Sequence, residues 1–154
     1  MSDLGLISLL IALALATYSV LASVLGQSRG ISPLIESAYY ATYLVTFCLI
    51  ISSLCLVEAF LSKDFEVMYV FAHSNIAMPR MYTWVAIYAG NEGSLLFITT
   101  ILSILSAVAI IFVPFRARPS LPYTNATLMS IIIFFLVVMA TLANPFQKLD
   151  FIPL

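Results

Sequence analysis

Charge is what this sequence has least of. Charged residues are 8% of the 154 residues, where a soluble domain carries about 25%. A water-soluble globule of this length has no way to hide the apolar remainder, so that class is excluded. The six Lys and Arg stand singly or as one close pair, Arg116 and Arg118. Neither a nucleic-acid patch nor a polybasic lipid-binding tail can be built from them. Histidine occurs once, as His73, and tryptophan once, as Trp84. One His excludes a bis-His haem site or a His-rich metal centre made by this chain alone. The two cysteines, Cys48 and Cys55, are seven residues apart in one apolar run. On a helix that spacing is about 10.5 Å, beyond the reach of a disulfide, so they read as small buried hydrophobes. No nucleophile–base pair, phosphate-binding glycine loop or paired carboxylates occur. A stand-alone membrane enzyme therefore has no residue set to support it.

What is present is hydrocarbon, in blocks. Hydrophobic residues are 63% of the chain and the mean hydropathy is +1.13. No Asp, Glu, Lys or Arg occurs in Leu4–Ser28, Ser37–Val57, Gly93–Phe115 or Pro119–Gln147. A bilayer core needs about 20 apolar residues in a helix, and only helices or closed barrels satisfy the backbone in lipid. The expectation is an all-α integral membrane protein, one membrane domain over 1–154. Its transmembrane helices fall at about 5–26, 35–61, 92–114 and 124–143. A signal peptide is a poor reading of the first run, which has no Lys or Arg before it and is too long. Gly26 to Gly30 should stop the first helix, and Ser32-Pro33 reads as a cap and first-turn proline for the second. Tyr39, Tyr40 and Tyr43 resemble an interfacial aromatic belt. Thr99, Thr100, Ser103 and Ser106 favour close packing of the third helix. Pro114, Pro119 and Pro122 break the chain before the fourth. Asn125-Ala126-Thr127 fits a glycosylation sequon, but it abuts a helix start and reads as chance. Glu58, in the last turn of the second helix, reaches headgroup water or meets a partner such as Arg80.

Between the second and third helices, segment 63–91 holds most of the polar chemistry. It is also crowded with aromatics. Met81, Trp84, Val85 and Tyr88 recur at i, i+3, i+4 and i+7, one face of a helix. Pro79 forbids a single helix across the segment. Two short amphipathic pieces at the membrane surface, hinged at Met78-Pro79, are expected. Gly90 to Ser94 forms a turn, Asn91 could cap the third helix, and Glu92 suits its positive end. His73 could ligate a metal or haem iron, or could pin Ser74-Asn75 by a hydrogen bond; a lone His more often does the latter. Lys and Arg tie at three on each side of the membrane. The tight Arg116/Arg118 pair puts its loop in the cytoplasm, and both termini and segment 63–91 outside.

Composition alone fits a small structural or accessory subunit of a respiratory or transport complex. The motifs say more. Ala72-His73-Ser74-Asn75, Pro79, Tyr82 and Ala89-Gly90-Asn91-Glu92-Gly93-Ser94-Leu95-Leu96 are similar to an ordered signature of the CcmF family of cytochrome c-type biogenesis proteins. Its elements are Tyr-Val-Ala-x-(His/Asn)-Ser-Asn-x-x-Leu-Pro and then Trp-Gly-Gly-x-Glu-Gly-Ser-Leu-Leu. Upstream, Asp64-Phe65-Glu66-Val67-Met68-Tyr69-Val70 resembles the family's Asp-Phe-Ser-Val-x-Tyr-Val. Downstream, Asn144-Pro145-Phe146 resembles its Asn-Pro-Phe. Tyr88 and Ala89 depart from the usual Trp and Gly. The resemblance covers nearly the whole chain but only the N-terminal portion of the family, whose members are several times longer.

The resemblance implies a haem-lyase component that receives haem from the haem chaperone CcmE and helps attach it to apocytochrome c. The family's tryptophan-rich haem-binding motif and its haem-ligating histidines lie beyond this portion, so no ligand carries over. The expected role is a membrane part without a catalytic or haem-ligating site of its own, either one piece of a split protein or a truncated gene product. It would need the remainder of the CcmF-like protein or another lyase subunit. His73, Ser74, Asn75, Pro79, Tyr82, Trp84, Gly90, Glu92, Gly93 and Ser94 are the expected signature and docking surface. The membrane would be the bacterial inner membrane with segment 63–91 in the periplasm, or the mitochondrial inner membrane.

Overall fold

The computed structural model describes residues 2–62, 67–73, 77 and 79–148, without the side chains of residues 2, 73 and 80. Its elements are α1 (Ser2–Arg29), α2 (Ser32–Leu61), α3 (Met68–His73), α4 (Arg80–Ile87), α5 (Asn91–Phe112) and α6 (Leu121–Thr141), with a 3-10 helix at Phe115–Ser120 before α6. No strand occurs among the described residues. Four helices, α1, α2, α5 and α6, are long and apolar enough to cross a membrane. At 1.5 Å per residue, the shortest of them, the 21 residues of α6, still matches a hydrocarbon core of about 30 Å.

These four close into a ring. α2 packs on α1 and α5, α6 packs on α1 and α5, and the diagonal α2–α6 contact is slight. Its interior is built from small residues and hydroxyls as much as from hydrocarbon. Ala12, Ala16, Ala38, Ser19, Thr42, Ser52 and Ser103 are buried beside Leu49, Leu56 and Met129. In lipid, apolar surface gives helices little reason to associate, so close backbone approach and interhelical hydrogen bonds must hold the bundle. Many of the larger apolar side chains point outward, as Leu44, Phe47, Ile98, Leu105, Ile111 and Phe134 do.

Both ends are tied. At one end, Lys148 Nζ lies 2.9 Å from Asp3, the Met68 N–H donates to the Gln147 carbonyl at 2.7 Å, and Phe146 is buried so close to Gly5 that a Cβ there would overlap its ring. The start of α1, α3 and the stretch after α6 therefore meet on one side. At the other, Gln27 Nε2 donates to the Pro119 carbonyl at 3.3 Å.

Helix limits differ from the expected ones for local reasons. α1 runs through Gly26 to Arg29 because Gly26 faces Ile35 closely, so its missing side chain serves packing. Gly30, at φ 67°, is the residue that ends the helix. α2 starts at Ser32 with Ile31 as its cap residue and no side-chain cap bond, so Ser32 is not the cap. α5 starts at Asn91 with Gly90 in the cap position, also without a side-chain bond; Asn91 is already helical and caps nothing. α6 begins earlier than residue 124, because Pro119 is absorbed by the 3-10 helix and Pro122 falls in the first turn of α6, where no N–H is needed.

The candidate site: a joint between α4 and α5

Tyr69, on α3, is the side chain around which the signature residues gather. Its hydroxyl donates to the Ile87 carbonyl at 2.8 Å and accepts from the Gly90 N–H at 3.1 Å. Those are the last carbonyl of α4 and the amide just ahead of α5, two groups a helix cannot satisfy internally. The Tyr69 ring meets Phe60 of α2 edge-on, with centroids 5.3 Å apart. Gly93 closes the joint: a Cβ on it would collide with the Ile87 carbonyl and the Tyr69 hydroxyl. Ser94 completes it, its Oγ donating to the Tyr88 carbonyl at 2.9 Å. Burial pushes the Tyr69 phenol above its ordinary pKa of 10.0, and the Glu92 charge adds to this, while the backbone N–H groups of Gly90 and Gly93 pull the other way. The hydroxyl keeps its proton at physiological pH and remains a donor.

Of the expected surface, Gly90, Gly93 and Ser94 thus come together at this joint, with Glu92 in the first turn of α5. Pro79 is the cap residue of α4. Tyr82 and Trp84 point elsewhere. α4 turns Thr83, Ala86 and Ile87 inward and leaves Met81, Tyr82, Trp84 and Val85 exposed. The Met81/Trp84/Val85/Tyr88 stripe therefore faces away from the bundle. At its end Tyr88 lies against Phe97 of α5, centroids 4.7 Å apart, which joins the stripe to the outer face of α5. Ser74, Asn75 and Met78 lie outside the described residues, as do the side chains of His73 and Arg80, so the hinge and the Glu58–Arg80 pair fall there too. Glu58 itself is exposed.

Axial ligation of a haem by His73, the single histidine, falls outside the described side chains. Among the described residues no three His, Cys, Asp or Glu converge. The crevice beside the joint, between α2 and α5, holds about 30 Å³, room for a water and far below the roughly 300–1,000 Å³ of small-molecule sites.

Sequence reasoning missed two features. Tyr69 was visible only as part of a motif, since its partners are 18 and 21 residues away. The second is a buried polar knot joining α1, α2 and α6. Asn125 Nδ2 donates to Ser19 Oγ at 3.0 Å and Ser23 Oγ at 2.9 Å. Thr42 Oγ1 donates to Asn125 Oδ1 at 2.9 Å, and Ser19 and Thr42 oxygens are 2.9 Å apart. With Asn125 only 2% exposed, its sequon has no room for a glycan. The one signal was an Asn inside a charge-free run, where an amide needs partners.

Comparison with known proteins decides the relationship. No family model matches the chain. The cytochrome c-type biogenesis protein NrfE of Haemophilus influenzae is 31% identical over 148 residues, 96% of this chain and 23% of that protein. CcmF of Pseudomonas aeruginosa is 32% identical over 147 residues, 96% of this chain and 22% of that one. A solved structure of the cytochrome c haem lyase CcmF superposes with a TM-score of 0.88 at 26% identity, over 97% of this chain and 25% of the other. The chain is a homologue of the N-terminal portion of CcmF-type proteins. It spans less than a quarter of the length of these curated relatives. The CcmF likeness extends over nearly the whole of this chain, the four apolar helices included.

Proposed function

We propose that this chain serves as the N-terminal membrane part of a CcmF-type haem lyase, working with the rest of such a polypeptide, whether on the same chain or another. One observation carries the reading: a likeness in both sequence and structure that extends over nearly all of this chain. The chain supplies a wall and docking surface, and the haem ligands come from elsewhere. The finer parts of the reading follow from the family: haem arrives from the chaperone CcmE, apocytochrome c receives it, the membrane is the bacterial inner membrane (or the mitochondrial inner membrane), and segment 63–91 faces the periplasm. Within that arrangement Pro79, Gly90, Glu92, Gly93 and Ser94 fix how α4 is presented, while Tyr82 and Trp84 form the presented surface. His73, Ser74 and Asn75 extend the same segment, with His73 in a positioning role.

Complementation tests this. A CcmF-type protein lacking the portion homologous to this chain is expressed with residues 1–154 supplied separately, and covalent haem on a reporter cytochrome c is measured. Restored haem attachment is expected, and attachment that is no better than without the chain overturns the reading. In the restored complex, His73→Ala should leave the haem absorbance in place. Loss of that spectrum with protein levels unchanged would make His73 a ligand.

A further inference from the structure

At the end of the bundle opposite the α4–α5 joint, between α5, the 3-10 helix and α6, lies an open groove of about 360 Å³. Val108 and Phe112 of α5, Pro114 and Ala117 of the connection, and Leu121 and Thr124 of α6 line it. The volume falls in the range of small-molecule sites, and the lining is almost wholly apolar. The same connection carries Arg116 and Arg118, both exposed. Among the described residues neither has a carboxylate partner, the ion pair being Lys148 with Asp3 at the far end. Arg118 is held at the apolar surface, its guanidinium 5.8 Å from the centroid of the Phe115 ring. An apolar groove that opens at the end of two spans, on a connection whose two exposed cations have no carboxylate partner among the described residues, matches a molecule that is hydrocarbon at one end and anionic at the other.

We infer that this groove binds one anionic phospholipid, with an acyl chain against Val108, Phe112 and Leu121 and the phosphate headgroup on Arg116 and Arg118. The charge decides the lipid class. Basic pockets between spans select anionic headgroups. A zwitterionic lipid would leave the two cations without net neutralisation, and a soluble phosphate would make no use of the groove. A helix of another polypeptide would fill the groove, but would have to bring its own carboxylate to compensate the arginines.

Native mass spectrometry of the chain in detergent, titrated with phosphatidylglycerol or phosphatidylcholine, tests the assignment. Phosphatidylglycerol should be retained about thirtyfold more tightly, the preference expected of two interfacial arginines. Arg116→Gln with Arg118→Gln should bring it down to the phosphatidylcholine level. Ala109→Trp, at an exposed position on the groove wall, should block both lipids with the helical content and thermal midpoint unchanged. Inorganic phosphate should not displace the lipid. Equal retention of the two lipids, binding that survives Ala109→Trp, or full competition by phosphate overturns the proposal. So does loss of the lipid when the chain is co-purified with the rest of a CcmF-type polypeptide, which would mean that protein fills the groove.

Discussion

Two glycines next to one tyrosine hydroxyl show what single atoms decide here. Gly90 is extended backbone at φ −105° and ψ 169°, a conformation any residue adopts, so its contribution is the N–H it gives to Tyr69. Gly93 differs, because a side chain there has no space. Gly93→Ala should therefore destabilise the chain by about 1–3 kcal/mol, as overpacking does, read as a lower thermal midpoint in detergent. Tyr69→Phe leaves the Gly90 N–H and the Ile87 carbonyl without a partner and should cost about 1–3 kcal/mol. The two substitutions share an atom, so the double variant should lose less than the sum of the singles. Strict additivity would mean that the hydroxyl and Gly93 do not touch. The raised phenol pKa adds a pH dependence. Below pH 10 both folded and unfolded states hold the proton and the contribution is full. As pH rises past 10.0 the unfolded chain loses it first, so stability falls. A Tyr69→Phe chain should show a shallower decline in thermal midpoint above pH 10; identical slopes would remove Tyr69 from the alkaline response.

At the scale of elements, the knot of Asn125, Ser19, Ser23 and Thr42 sets the relative depth of α1, α2 and α6, since the Asn125 amide meets Ser19, Ser23 and Thr42 together in only one register. Interhelical hydrogen bonds in lipid are worth about 0.6 kcal/mol on average, so the cost of breaking the knot lies mainly in the partners left behind. Asn125→Leu should lower stability by about 1–3 kcal/mol, and removing the Ser19 and Thr42 hydroxyls as well, as Ser19→Ala and Thr42→Val, should recover part of the loss. A triple variant weaker than the single one would refute the account. α4 raises a different question, namely what its outward stripe faces. Trp84 is the sole tryptophan, so intrinsic emission reports on this helix alone. If the stripe lies in the membrane interface, Trp84 emission in liposomes should be blue-shifted relative to unfolded chain and quenched by lipids brominated high on the acyl chain. Emission that ignores the bromine places the stripe in water or under protein.

These elements also mark where sequence was a sufficient guide. Gaps between charged residues located the four spans, because an unpaired charge in hydrocarbon is costly whatever the tertiary structure. Thr99, Thr100, Ser103 and Ser106, expected at a packed face, are buried. Helix ends were harder, since the tolerance of Pro119 and Pro122 depends on which turn they occupy. The periodic stripe of α4 was visible, but period alone does not say whether an apolar face meets core or lipid. The Tyr69 joint and the Asn125 knot were not legible, for they arise from contacts across 18 to 106 residues that local pattern does not encode.

For the whole molecule, the ring of four spans makes topology a joint property of all the ends. Asp3, Tyr69, α4 and Lys148 share one side of the bundle, because Asp3 is paired with Lys148 and Met68 is bonded to Gln147. Arg29 and the 3-10 helix share the other, through Gln27 and Pro119. Lys and Arg bias is weak in this chain, so the proposed absolute orientation, with the Arg116/Arg118 loop in the cytoplasm, rests on that pair alone. The check is thiol labelling in a background with Cys48→Ala and Cys55→Ala, which vacate one half-buried and one buried position. Single substitutions Asp3→Cys, Tyr82→Cys, Arg29→Cys and Arg116→Cys are then treated with a membrane-impermeant maleimide. In intact cells the first two should label and the last two should not, and in inverted vesicles the pattern should reverse. Reversal of both patterns would invert the proposed orientation and leave the fold intact. Labelling of Asp3→Cys and Arg116→Cys from the same side would break the four-span topology itself, and with it the placement of the α4–α5 joint and the groove on opposite faces of the membrane.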